Sequence, residues 1–126
     1  MDGSPARTSS RLISSDKVDG TSVENPKGDS LGHIEEIMID KISGQVAYAV
    51  LKYGSFLGMG GKLFALPWDV LHYDKERGAY IVDLPVEQLR GAPSFTEDTD
   101  PDWSDPAWNK GLHDYYGSGA NWYANW

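Results

Sequence analysis

Between Arg11 and Leu84 the apolar residues come in brief stretches divided by turn signals, and helical spacing is absent. That pattern predicts a small antiparallel β-structure. Leu12-Ile13 is the first stretch, closed by Ser14-Ser15-Asp16, and a second piece around Val18 to Val23 ends at Asn25-Pro26-Lys27-Gly28. Proline presets φ there and glycine accepts a positive φ, so a tight turn follows. Leu31 to Asp40 reads as a strand, but Ile34, Ile37 and Ile39 fail to alternate cleanly across Glu35-Glu36. A β-bulge would absorb that slip.

Asp40 to Gly44 joins this strand to Gln45 to Tyr53 as a hairpin, with Gly44 taking the left-handed position. Val46-Ala47-Tyr48-Ala49-Val50-Leu51 is apolar at every position, which means that both faces of the second strand are covered. One face meets the interior; something else must cover the other. Beyond the glycine-rich connection Gly54 to Gly61 come Leu63 to Leu66, Pro67-Trp68, Val70 to Tyr73, and Ala79 to Leu84 after the turn Asp74 to Gly78. Pro85 to Leu89 reads as one helical turn ended by Gly91 and Pro93.

A polar stretch, Ser94 to Pro101, then leads to a compact helix signal: Asp105 as N-cap, Pro106 at the first position and Gly117 past the end. Trp108, Leu112, Tyr115 and Tyr116 fall on one face of that helix, near 105–116. Four of the five tryptophans, Trp103, Trp108, Trp122 and Trp126, lie in this arm, too much apolar surface to leave in water. The expected organisation is a disordered lead-in over 1–10, a barrel domain over 11–93 and an aromatic arm over 94–126.

Composition narrows the function classes. A chain of 126 residues is the size of one domain. It has no cysteine, which removes disulfides, thiolate metal ligands and thiol nucleophiles and suits a cytoplasmic setting. No long apolar run is present, so membrane insertion is not expected. The formal charge of −8 disfavours nucleic acid as a partner. Most of the excess sits in the arm, where Glu97, Asp98, Asp100, Asp102, Asp105 and Asp114 face only Lys110.

Motifs that suggest chemistry each lack a required part. Gly58-Met59-Gly60-Gly61-Lys62 is glycine-rich, but a phosphate loop needs glycine where Phe56 stands and Ser or Thr where Leu63 stands. Asp98, Asp100 and Asp102 are spaced like a calcium loop, yet Trp103 replaces the loop glycine and Asn109 the closing glutamate. His33, His72 and His113 have no metal-binding spacing and read as surface or rim histidines. Glu35 and Glu36 would point to opposite faces of a regular strand and could not act as an acid/base pair. No catalytic, metal or cofactor site is therefore expected.

Several segments resemble the PRC-barrel family, named for the cytoplasmic domain of the photosynthetic reaction centre H subunit. They are Val18-Asp19-Gly20-Thr21-Ser22-Val23, Asn25-Pro26-Lys27-Gly28, Leu31-Gly32-His33-Ile34, Met38-Ile39-Asp40, Gly44-Gln45-Val46 and Tyr48-Ala49-Val50-Leu51, with Phe56-Leu57-Gly58-Met59-Gly60 and Leu66-Pro67-Trp68 resembling its second half. The resemblance implies an all-β fold, a small six-stranded antiparallel barrel with a short helical arm, used as an adaptor or assembly surface without a catalytic group. Lacking a transmembrane helix and an RNA-processing domain, the chain is most similar to stand-alone bacterial members. The expectation is a non-catalytic interaction module, by default a homodimer. Tyr48, Val50, Phe56, Leu57, Met59, Trp68, Trp103, Trp108, Leu112, Tyr115 and Tyr116 are its candidate contact residues, and Trp68 reads foremost as a core anchor. The alternative is a small-ligand sensor or enzyme with a pocket near residues 54–61.

Overall fold

A computed structural model describes residues 12–53 and 61–118. Six strands form one sheet: β1 (Ser22–Glu24), β2 (Ser30–Ile39), β3 (Val46–Lys52), β4 (Leu63–Pro67), β5 (His72–Asp74) and β6 (Ala79–Ile81). The helical pieces are α1 (Ser15–Val18), a 3-10 turn (Trp68–Val70), α2 (Val86–Arg90) and α3 (Pro106–Tyr116). Leu12 and Ile13 do not open a strand as the pattern suggested. Both are exposed, and the chain enters the sheet only after the α1 turn.

The β2–β3 hairpin follows from its loop chemistry. Asp40 receives the Ile42 amide at 3.0 Å and the Ser43 hydroxyl at 2.9 Å, and these bonds hold its carboxyl below the usual carboxylate range. Gly44 takes φ 78° and donates its amide to the Asp40 carbonyl at 2.8 Å. The expected bulge is present: the β2–β3 register shifts between Ile34 and Glu36, skipping Glu35, and again between Met38 and Ile39.

The strand order is β4-β3-β2-β1-β6-β5, and two features depart from the expected antiparallel barrel. β1 and β6 pair in parallel, Val23 with Tyr80 and Glu24 with Ile81. Short turns force neighbouring strands antiparallel, but β2 to β5 all lie between β1 and β6 in the chain, so no local constraint sets their direction. The sheet also does not close, since β4 and β5 end the order unpaired with each other. The edge of β4 is taken instead by Phe95, which exchanges amide–carbonyl bonds with Leu63 at 2.8 and 2.9 Å.

Side chains finish what backbone pairing leaves open. Val23, Leu31, Ile34, Ala49, Leu51, Phe64, Leu66 and Tyr80 share one buried cluster, so residues of β4, at one end of the order, and of β6, next to the other end, meet inside a curled sheet. Trp68, on the turn between β4 and β5, packs its ring against Tyr80 of β6, with centroids 5.4 Å apart. α2 caps this core with Leu89, which is fully buried. No helix among the described residues is long and apolar enough to cross a membrane.

Gly32 is the tightest backbone approach. Its φ is 128°, and an added Cβ would lie 2.2 Å from the Lys52 carbonyl oxygen on β3. Gly32→Ala must therefore strain the backbone and push β2 from β3, and we expect it to lower stability by about 2 kcal/mol or more in urea denaturation.

Candidate interaction site

The outer face of β3 and β4 is where the arm lands. Strand alternation sends Ala49 and Leu51 inward and Tyr48 and Val50 outward on β3, while β4 sends Leu63 and Ala65 outward. These outward residues would be an apolar patch in water. Phe95 and Leu112 join them in a second buried cluster, with Trp103, Trp108 and Tyr116 packed around it. The cover that the all-apolar β3 demands is thus supplied by residues 95–116 of the same chain.

The arm helix forms for local reasons. Asp105 accepts the Ala107 amide at 2.9 Å as N-cap, and Pro106 stands in the first turn, where its missing N–H costs nothing. Gly117 takes φ 69°, and the amides of Gly117 and Ser118 return to the carbonyls of Asp114 and His113, a Schellman closure. Lys110 and Asp114 pair at 2.7 Å on the exposed side, a contact worth little in water.

Tyr48 is the centre of the contact. It is 1% exposed, and its ring lies 5.9 Å from Trp103, 6.0 Å from Trp108 and 5.5 Å from His113 between centroids. Trp103 stands edge-on to both Phe95 and Trp108, at 5.7 and 5.3 Å. Such tilted and edge-to-face pairs are favoured by the ring quadrupoles. A polar chain runs through this apolar layer. The Tyr48 hydroxyl donates to Asn109 Oδ1, and Asn109 Nδ2 donates to the carbonyls of Trp103 and Asp105 at 2.9 and 2.8 Å. His113 Nε2 lies 3.1 Å from the Tyr48 hydroxyl, His113 Nδ1 lies 2.9 Å from Ser118 Oγ, and that hydroxyl reaches both Asp69 oxygens at 2.7 and 2.9 Å.

The expected contact residues divide between two places. Tyr48, Val50, Trp103, Trp108 and Leu112 come together on the outer face. Trp68 and Tyr115 pack against the inner core, and Tyr115 donates its hydroxyl to the Gln88 carbonyl on α2. Tyr116 touches both clusters, and burial first, then Tyr115, pushes its phenol well above the usual range, so it stays neutral. Phe56, Leu57, Met59, Trp122 and Trp126 lie outside the described residues.

His113 is not the rim histidine that its neighbour Asp114 suggested; it is 1% exposed, and Asn109 is fully buried beside it. Apolar spacing selected Trp108 and Leu112 and passed over these two polar residues one position further along the same face. The only sequence signal was their own separation of four, which places them on one helical stripe. His33 stays at the surface 3.5 Å from Glu35, and His72 lines an open cleft of about 540 Å³ with Tyr73, Asp74, Lys75, Glu76 and Ile81. Among the described residues no group of three or more His, Asp or Glu side chains is placed to hold a metal ion.

Two substitutions separate the apolar and polar parts of this contact. Leu112→Ala should cost about 2–5 kcal/mol through the cavity it leaves. Tyr48→Phe should cost about 1–3 kcal/mol, because Asn109 Oδ1 and the His113 ring lose their partner inside an apolar layer. Tryptophan fluorescence followed through urea unfolding measures both.

A model of the PRC-barrel domain family matches residues 11–89, a span that contains the whole sheet and ends within α2, before the arm begins. No curated protein matches the chain. The family match covers more than half of the sequence and coincides with the curled sheet just described, and on that ground the chain belongs to the PRC-barrel family.

Proposed function

We propose that this chain is a non-catalytic protein-interaction or assembly module that works in the cytoplasm, and that its first partner is a second copy of itself. The observation that carries the proposal is the composition of the covered face. Tyr48, Val50, Leu63 and Ala65 make an apolar patch that is filled by a separate aromatic segment, Phe95, Trp103, Trp108 and Leu112, as a partner protein would fill it. The arm joins the sheet through residues 96–102, in which no helix or strand holds the chain, so the same contact serves within one chain or, exchanged, across a two-fold dimer.

The polar groups at this contact support a binding role. Tyr48, Asn109 and His113 bond to one another inside the interface, where they align the arm, rather than converging on a cleft open to substrate. The surface charge of the arm also fits a protein partner better than a nucleic acid or an anionic membrane.

Ending the chain at Pro93 removes the whole cover and should leave a folded sheet that self-associates or aggregates, read by analytical ultracentrifugation with circular dichroism as the folding control. Leu112→Glu in the full chain should shift the same equilibrium toward association. A truncated protein that stays monodisperse and monomeric would overturn the proposal.

A further inference from the structure

Two edges end the sheet, and they are treated differently. Phe95 takes the outer side of β4, whereas β5 pairs with β6 and, among the described residues, has no partner on its other side. An antiparallel pair uses the backbone groups of alternate residues, so a strand paired on one side keeps the remaining groups pointing outward. An open cleft of about 540 Å³ is lined by all three residues of β5.

The side chains of β5 select what can pair with it. Tyr73 is 52% exposed at the end of an aromatic row: its ring lies 5.1 Å from that of Tyr80, its cross-strand partner, and Tyr80 lies 5.4 Å from Trp68. The row runs out of the core and stops at the edge in water. His72 and Asp74 flank Tyr73 on the opposite face of the strand. Asp74 Oδ1 is taken by its own turn, accepting the Glu76 and Arg77 amides at 2.9 and 3.2 Å, while Oδ2 stands 3.8 Å from Arg77 Nε and can still accept a hydrogen bond. An imidazole donor and a carboxylate acceptor therefore stand one residue either side of an exposed ring.

That order is complementary to its own reverse. In an antiparallel pair, opposite residues either both turn their backbone groups toward the partner or both turn them away, so a two-fold axis passes through one residue. Centred on Tyr73, the axis sets ring against ring and places His72 of each copy opposite Asp74 of the other. Centred on Asp74 it would oppose two carboxylates, and centred on His72 two imidazoles, with each Asp74 facing Val70. Like charges directly opposite one another are destabilising.

We propose that β5 is a strand-addition surface for a second copy of the chain, paired antiparallel about Tyr73 so that the two sheets join edge to edge. This surface is separate from the face beneath the arm, and the arm stays docked. A strand of three residues gives few ladder bonds, so the dimer is weak and forms as concentration rises.

The chain has no cysteine, so single cysteines report the register directly. Opposite residues have Cβ atoms about 4.5–5.5 Å apart, close to disulfide reach. In the full chain under a mild oxidant, Tyr73→Cys should cross-link to itself many-fold faster than Glu87→Cys on α2. With Tyr73 retained, sedimentation should show a dimer that His72→Lys tightens several-fold and His72→Glu loosens several-fold. His33→Glu makes the same charge change on β2 and should leave the dimer nearly unaltered. A full chain that stays monomeric up to about 1 mM, or a Tyr73→Cys protein that dimerises without cross-linking, would sink the proposal. If loss of the ring abolishes association of Tyr73→Cys, the histidine variants decide, and His33→Glu acting as strongly as His72→Glu rejects it. The covered face is tested by loss of the arm and this edge with the arm in place, so either can fail alone.

Discussion

A strand with apolar side chains on both faces cannot be satisfied by one core, and the structure is arranged around that constraint. β3 directs Ala49 and Leu51 into the curled sheet and Tyr48 and Val50 away from it, and each pair is buried. At roughly 25 cal/mol per Å² of apolar surface, leaving the second face in water would forfeit several kcal/mol, a large share of what holds a small domain together. The aromatic arm is the answer to that deficit, which is why a segment outside the family match is part of the folded unit.

Packing also replaces backbone pairing where the sheet stays open. Trp68, on the turn that follows β4, packs on Tyr80 of β6, and the free edge at Leu63 is blocked by Phe95. Occupying an edge in this way removes a template for unwanted strand addition. It also anchors the start of the arm, so α3 is delivered to the outer face from a fixed point.

The polar chain from Asn109 through Tyr48 and His113 to Asp69 gives the contact direction as well as strength. Aromatic surfaces slide with little penalty, but each hydrogen bond here is made in one register of helix on sheet, and a slip leaves buried polar groups unpaired.

Local spacing in the sequence was enough to place the β2–β3 hairpin, with Asp40 and Gly44 setting its loop, the bulge at Glu35, the arm helix from Asp105 to Gly117, and the need for a cover over Val46 to Leu51. Each of these depends on residues close together in the chain, whose turn, capping and alternation chemistry is written in the residue types. Three features came only from the folded chain: the parallel pairing of β1 with β6, the blocking of the β4 edge by Phe95, and the burial of Asn109 and His113 against Tyr48. These join residues far apart in sequence, and a polar side chain carries no mark of burial until its distant partner arrives; the helix shows Asn109 and His113 on one stripe, and only the sheet beneath decides that the stripe is dry.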